Sequence, residues 1–357
     1  MINLSKLLRD DTAFPGDELR YGGQFGCPVV VWHVTGDCNL RCAHCYAAGC
    51  ASEPMPADEA ARFLERLSFL RPPALLLSGG EPLAHPRIFD YIARAGALGL
   101  RLSLSTNGTL IGRAEAEQIA ASAVSYVGVS LDGKGSAHDE FRGAEGSFAA
   151  AVAGIRNLRS AGCRVGLRVT LARPVLPSLP GLFALAAELG VSRVCFYHFV
   201  PSGRGADDAA LMPSPEEERQ AVREIIKWAE SETASIANPI EILTVGDASD
   251  GLYLYDYLRK NKPRAATRAL SLIEQASRRE IGAGIASVRW DGILFAHQFD
   301  WNNPLGTWRD LPLKRAARRG RECADCRVNK YCSGSLRAEK SYPCLLSEEE
   351  RRGSVLI

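Results

Sequence analysis

Six short apolar runs recur along the chain: Val29 to Val34, Ala74 to Ser78, Arg101 to Ser105, Tyr126 to Leu131, Arg164 to Leu171 and Arg193 to Phe199. Their β-branched content and near-continuous apolar character suit strands covered on both faces. Between them, Ala57 to Leu70, Arg87 to Leu98, Ala114 to Ala121, Phe148 to Ala161 and Leu179 to Leu189 carry apolar residues at helical spacing. Gly99, Gly162 and Gly190 stand where such helices stop. A repeated strand-helix order packs as a parallel sheet with right-handed crossovers. Six units predict an α/β fold, a partial (β/α)6 TIM-like barrel, whose chemistry gathers at the C-terminal ends of the strands.

After Gly203-Arg204-Gly205 the pattern changes. Ser214 to Glu232 and Tyr253 to Arg279 read as helices, and Ala286 to Phe295, with the turn Asp291-Gly292, as a strand pair that opens a smaller C-terminal module. The expected division is an N-terminal extension (1–28), a barrel (29–210), a helical bridge (211–284) and a C-terminal domain (285–357). A chain of 357 residues, 46% of them hydrophobic, can bury a core of that size.

Lysine plus arginine number 43 against 41 aspartate plus glutamate, so no global field points to nucleic acid or a membrane surface as partner. The run Lys314 to Arg321, basic without an acid, could meet an anionic ligand but reads first as the wet face of a helix. No apolar stretch reaches the length of a bilayer. The opening Met1-Ile2-Asn3-Leu4-Ser5-Lys6 lacks the form of a signal peptide, which places the chain in the cytoplasm. Eleven cysteines, an odd number, then point to metal or redox chemistry rather than a disulfide framework.

Cys38, Cys42 and Cys45 directly follow the first predicted strand, at its C-terminal end. Three thiolates can hold three irons of a [4Fe-4S] cube and leave the fourth iron open to a ligand that is not protein. The bland alternative is a zinc knuckle completed by Cys50 or His44, since structural zinc wants four ligands. Ser78-Gly79-Gly80-Glu81-Pro82 ends the second strand, where glycines permit close backbone approach and a carboxylate can accept from an ammonium. Ser105-Thr106-Asn107-Gly108 and Ser130-Leu131-Asp132-Gly133 end the third and fourth, and Arg142 follows in Phe141-Arg142-Gly143.

The cysteine spacing, followed by an aromatic, together with Gly79-Gly80-Glu81-Pro82 one βα unit later, resembles the signature of the radical S-adenosylmethionine (SAM) superfamily. The resemblance implies a [4Fe-4S] cluster on Cys38, Cys42 and Cys45 and reductive cleavage of SAM to a 5′-deoxyadenosyl radical that takes a hydrogen atom from substrate. It also implies SAM contacts at Gly79, Gly80, Glu81, Thr106, Asn107, Ser130 and Arg142, with His44 beside the adenine where the family often has an aromatic. A low-potential donor such as flavodoxin or ferredoxin would supply the electron.

Cys323, Cys326, Cys332 and Cys344 form a second set that could close the shell of a cluster or of a zinc ion. The pattern resembles the SPASM and twitch modules of radical SAM enzymes and implies one auxiliary [4Fe-4S] cluster, with His297 as an alternative ligand. The isolated Cys27, Cys163 and Cys195 read as buried small hydrophobes.

Separated segments, among them Leu19-Arg20-Tyr21-Gly22, Pro28 to Trp32, Phe196-Tyr197-His198 with Gly203-Arg204-Gly205, and Tyr342-Pro343-Cys344-Leu345, resemble the tetrapyrrole-modifying group of the superfamily. That group includes the heme d1 biosynthesis radical enzyme and the didecarboxysiroheme deacetylase of the alternative heme pathway. The implied reaction is deacetylation or decarboxylation of side chains on a siroheme-derived macrocycle. A flat, polycarboxylate ligand needs aromatic walls and arginines, for which Arg20, Arg41, Arg168, Arg204, Tyr21, Trp32 and His198 are candidates. His33 and His198, at strand ends, are also candidates to approach a central iron. The rivals are a SPASM-type peptide maturase and a non-catalytic iron-sulfur or zinc carrier. The first commonly carries a leader-binding domain, whereas 28 residues precede the first predicted strand; the second has no use for Gly79-Gly80-Glu81-Pro82.

Overall fold

The computed structural model describes residues 1–8, 27–48, 52–235, 239–277 and 284–311. The chain begins with β1 (Ile2–Asn3), α1 (Leu4–Leu7), β2 (Val29–His33), α2 (Ala57–Leu70), β3 (Leu75–Ser78), α3 (Ile88–Ala97), β4 (Leu102–Thr106) and α4 (Arg113–Ala120). It continues with β5 (Val124–Ser130), α5 (Ser136–Arg142), α6 (Ser147–Ser160), β6 (Val165–Leu171), α7 (Leu179–Glu188) and β7 (Arg193–His198). Then come α8 (Pro215–Ser235), β8 (Glu241–Val245), α9 (Asp250–Asn261), α10 (Pro263–Ser277), β9 (Ile285–Val288), β10 (Ile293–Phe295) and β11 (Gly306–Thr307).

The strands from β2 to β7 pair in chain order, all parallel, as the expected partial barrel requires. The sheet extends beyond both ends, in the order β1-β8-β7-β6-β5-β4-β3-β2-β9-β10-β11 among the described residues. β8 adds parallel to β7 and β9 parallel to β2, while β1, β10 and β11 pair antiparallel. Gly99, Gly162 and Gly190 follow α3, α6 and α7 with positive φ, as helix stops should.

The sheet's two faces divide by chemistry. Outside, Ala60, Phe63, Leu64 and Leu67 of α2 and Ile88, Tyr91, Ile92 and Ala95 of α3 are buried at helical spacing. Phe183 of α7 stacks on Trp228 of α8 at 4.4 Å, and both meet Phe196 of β7 edge-on. Each such side chain contributes about 1.5 to 3 kcal/mol by burial. Inside, β6 and β7 turn Arg168, Thr170 and Tyr197 towards a cleft, between the buried Leu167, Val169 and Leu171 and beside Phe196. The polar residues sit at every second position, the period of a strand.

The helical reading of 211–284 misses one element. Its helices are present, but β8 lies between α8 and α9 and continues the parallel sheet. Glu241 to Val245 is a short run flanked by two strongly helical segments, and it becomes a strand through its pairing with β7 and β1. The N-terminus braces it: Asn3 Nδ2 donates to Glu241 Oε1 (2.8 Å), Ser5 Oγ to Ile240 O (3.2 Å), and Ile242 N to Ser5 Oγ (2.8 Å).

α8 and α9 are also pinned by charge. His198, at the end of β7 and 2% exposed, bonds Glu218 of α8 through Nδ1 (3.1 Å) and Asp250 of α9 through Nε2 (2.8 Å). Burial alone would lower its pKa, but the two carboxylates outweigh it and raise the pKa to about 10. Since the folded value lies above the ordinary one, this interaction is fully present below about pH 6.5 and is lost as pH rises towards 10. His198→Leu strands two buried carboxylates and should cost about 3 to 5 kcal/mol in denaturant unfolding at neutral pH. The gap between variant and wild type should narrow as pH approaches 10; a gap below 1 kcal/mol at pH 6 would contradict the assignment.

Candidate active site

The loop after β2 that carries Cys38, Cys42 and Cys45 is held by backbone and side-chain hydrogen bonds from several strand ends and the end of α5. Beyond β3, Gly80 N donates to Thr35 O (2.8 Å) and Glu81 N to Asp37 O (2.7 Å). A Cβ on Gly79, whose φ is +144°, would lie 2.5 Å from Thr35 O, and one on Gly80 would lie 2.2 Å from Asp37 O. Both positions therefore demand glycine. Beyond β4, Asn107 Nδ2 donates to Asn39 Oδ1 (2.9 Å) and Asn39 Nδ2 to Thr109 Oγ1 (2.8 Å). At the end of α5, Arg41 N donates to Arg142 O (3.2 Å) and Ala43 N to Phe141 O (3.0 Å). From beyond β7, Arg204 N donates to Cys45 O (2.9 Å) and its Nη1 to Cys42 O (2.5 Å).

So held, the three thiols line a cleft of about 1040 Å³, measured out to its mouth. Cys42 is buried, Cys45 half-buried and Cys38 exposed. Leu40 N (3.4 Å) and Asn107 Nδ2 (3.9 Å) donate to Cys38 Sγ, and Arg142 Nη1 (3.7 Å) to Cys42 Sγ. Burial pushes the Cys38 thiol up to about 11 against the pull of the Leu40 N–H and raises that of Cys45 too, so binding iron releases protons from these thiols. Among the described residues, no three His, Cys, Asp or Glu side chains gather as a single metal ion needs. A [4Fe-4S] cube has no such need, because each thiolate takes its own iron. The residues therefore fit a three-cysteine cluster better than a zinc knuckle; Cys50 lies outside the described residues, and the His44 ring stacks on Phe141 at 4.4 Å.

The remaining expected SAM contacts converge on the same cleft in different ways. Gly79, Gly80, Thr106, Asn107, Ser130, Arg142 and His44 line it. Glu81 does not: fully buried behind the wall, it accepts from Thr106 Oγ1 (2.7 Å), Asn107 N (2.7 Å) and Leu83 N (3.1 Å). Burial pushes its carboxyl up to about 7 against the pull of these donors. Arg142 pairs with Asp132, whose other oxygen accepts Thr170 N (2.5 Å), while Arg142 Nε is buried without a partner. Burial, then the nearby Arg142 cation, pushes the His44 ring down to about 3, so it is neutral.

Several macrocycle candidates fall elsewhere. Trp32 is 1% exposed and packs on Phe63 and Tyr91, outside the barrel. Arg204 serves the cysteine loop, as above, and Arg41 is exposed beyond the cleft lining. Both ring nitrogens of His198 are taken by carboxylates. His33 is fully buried outside the cleft lining, with Nε2 on Ser287 Oγ (3.0 Å) and Nδ1 without a partner, so neither ring presents a nitrogen to an iron in the cleft. Arg168 does line the cleft. Tyr46, Thr170, Tyr197, Gln298 and Phe299 line it too. Thr170 and Tyr197 carried a signal in the sequence, as polar residues at alternate positions of apolar strands. Cys27, Cys163 and Cys195 are buried, as expected. Arg20, Tyr21, Lys314 to Arg321, Cys323, Cys326, Cys332 and Cys344 lie outside the described residues. His297, the alternative ligand, is 3% exposed and accepts Phe299 N at Nδ1 (3.3 Å).

Gly80→Ala tests the stitching, because its methyl would displace Asp37 and the loop behind it. Iron bound after anaerobic reconstitution should drop clearly below wild type while the circular dichroism stays unchanged. Wild-type iron content would contradict the role given to this contact.

Comparison with known proteins agrees with the geometry. Residues 32–180 match the model of the radical SAM superfamily. The chain is 35% identical to Fe-coproporphyrin III synthase of Methanosarcina barkeri, covering 98% of each protein. It is 32% identical to pre-heme d1 synthase of Dinoroseobacter shibae, covering 87% of this chain and 81% of that one. The fold is similar to that of Streptococcus suis SuiB bound to S-adenosylmethionine, with a TM-score of 0.67 and 14% identity over 90% of this chain and 76% of SuiB. A cysteine loop stitched into the mouth of a partial barrel, and sequence likeness along nearly the whole chain, place this protein in the radical SAM superfamily.

Proposed function

We propose that this enzyme uses SAM radical chemistry to deacetylate or decarboxylate side chains of a siroheme-derived tetrapyrrole. The observation that carries the reading is end-to-end likeness to a protein named Fe-coproporphyrin III synthase, at 98% coverage of both chains. The cleft agrees in character, since it is walled by Tyr46, Tyr197, Phe199 and Phe299 and supplied with cationic and hydroxyl side chains.

A [4Fe-4S] cluster on Cys38, Cys42 and Cys45 with SAM on its open iron supplies, when bound and reduced, the radical that takes hydrogen from substrate. The chain's own residues do the positioning. Gly79 and Gly80 keep the wall beside the loop low enough for SAM, and Glu81 locks Thr106 and Asn107 at its edge. Asn107 and Arg142 donate to the cysteine sulfurs, which favours the charged cluster. Ser130 and Arg142 serve the methionine carboxylate, and the neutral His44 ring, stacked on Phe141, offers a flat face near the adenine. The aromatic walls keep water from the radical.

Cys323, Cys326, Cys332 and Cys344 are read as holding one auxiliary [4Fe-4S] cluster, and a flavodoxin or ferredoxin as the electron source in the cytoplasm. Among the described residues, no helix is long and apolar enough to cross a membrane. A cleft that gathers Gly79, Gly80, Ser130 and Arg142 beside the cysteines argues against a pure electron carrier.

The test is anaerobic incubation of the reconstituted enzyme with SAM, a strong reductant and didecarboxysiroheme, followed by mass spectrometry. Loss of acetate-derived mass from the macrocycle together with 5′-deoxyadenosine is the expected result. 5′-Deoxyadenosine with an unaltered macrocycle would overturn this substrate and favour a peptide.

A further inference from the structure

Among the described residues two arginines line the cleft, and they differ in how their charge is met. Arg142 is paired with Asp132 and donates to the Cys42 sulfur, although its Nε is buried without a partner. Arg168, on β6, has no carboxylate partner among the described residues. Its guanidinium lies over the ring of Tyr197 at 4.5 Å, and its cross-strand neighbours are Ser130 and Cys195. The groups around it are Tyr197, Cys195, Tyr126 and Tyr46, none of them a carboxylate. The barrel keeps room for this cation: a Cβ on Gly128 of β5 would lie 2.8 Å from Arg168 Cδ.

Other inner charges of the same strands are neutralised within the chain. Arg193 bonds Glu241 through Nε (2.7 Å), and His198 bonds Glu218 and Asp250. A half-buried cation without a counterion is costly, and the cost is removed when a ligand brings the anion. The guanidinium presents paired donors that match a carboxylate, and the tyrosine ring beneath fixes their plane.

We propose that Arg168, seated on Tyr197 and flanked by Ser130 and Thr170, forms a subsite that binds a carboxylate side chain of the substrate. The subsite rests on the tetrapyrrole reading above, which supplies a ligand rich in such groups.

The test uses the reconstituted full chain with SAM present and two probes, coproporphyrin III and its tetramethyl ester, followed by Soret-band difference titration. Arg168→Gln should weaken coproporphyrin III binding by about tenfold to a hundredfold, the usual value of a charge-assisted pair. The ester should bind both proteins equally and weakly. Arg168→Lys and Gly128→Ala should fall between wild type and Arg168→Gln, since one keeps the charge without the fork and the other shifts the fork without removing it. SAM binding by equilibrium dialysis should not change.

Equal binding of coproporphyrin III by wild type and Arg168→Gln would overturn the proposal. So would a loss of SAM affinity in Arg168→Gln with porphyrin binding intact, which would assign the residue to the methionine carboxylate. Wild-type protein that binds neither probe would overturn the tetrapyrrole reading and this subsite with it.

Discussion

The site depends on a carboxylate buried without a salt bridge. Glu81 accepts three hydrogen bonds from the ends of β3 and β4 and their following turns, while its own N–H reaches Asp37 in the cysteine loop. Such a group is expensive to desolvate, and its raised pKa records that cost. In return two strand ends and a loop form one rigid rim. The neighbouring glycines complete it, because any side chain there would collide with the loop backbone. The Gly-Gly-Glu segment therefore has an architectural role in addition to whatever it offers a ligand.

Charge is distributed along the sheet with economy. Asp132 holds Arg142, Glu241 holds Arg193, and Glu218 with Asp250 holds His198. These pairs fix side chains that would otherwise have several rotamers, and of the two cleft arginines they leave Arg168 without a carboxylate of its own among the described residues. A neutral His44 and the tyrosines make the rest of the wall apolar in face and polar at the tips. This combination suits a flat, acidic ligand better than a greasy one.

The barrel was legible because its strands and helices carry their own periodicities: β2 to β7 and the stops at Gly99, Gly162 and Gly190 follow from local pattern. The cysteine loop and Gly79-Gly80 were legible because their spacing is chemical rather than structural. β8 and β1 were not, since each is defined by a partner distant in sequence, as the contact of Asn3 with Glu241 illustrates. The engagement of Arg142 by Asp132 was hidden for a similar reason: α5 must first turn the chain back over β5. His198 read as a possible iron neighbour, but α8 and α9, whose packing no local pattern gives, claim both its nitrogens.

The central claim is that Cys38, Cys42 and Cys45 present a cluster with one iron open to SAM. Electron paramagnetic resonance of the reduced, reconstituted protein, recorded with and without SAM, tests it most directly. A [4Fe-4S]⁺ signal whose g values change on SAM addition is expected, and that change should disappear in Cys42→Ala while any other cluster signal persists. A wild-type spectrum that SAM leaves untouched would contradict it.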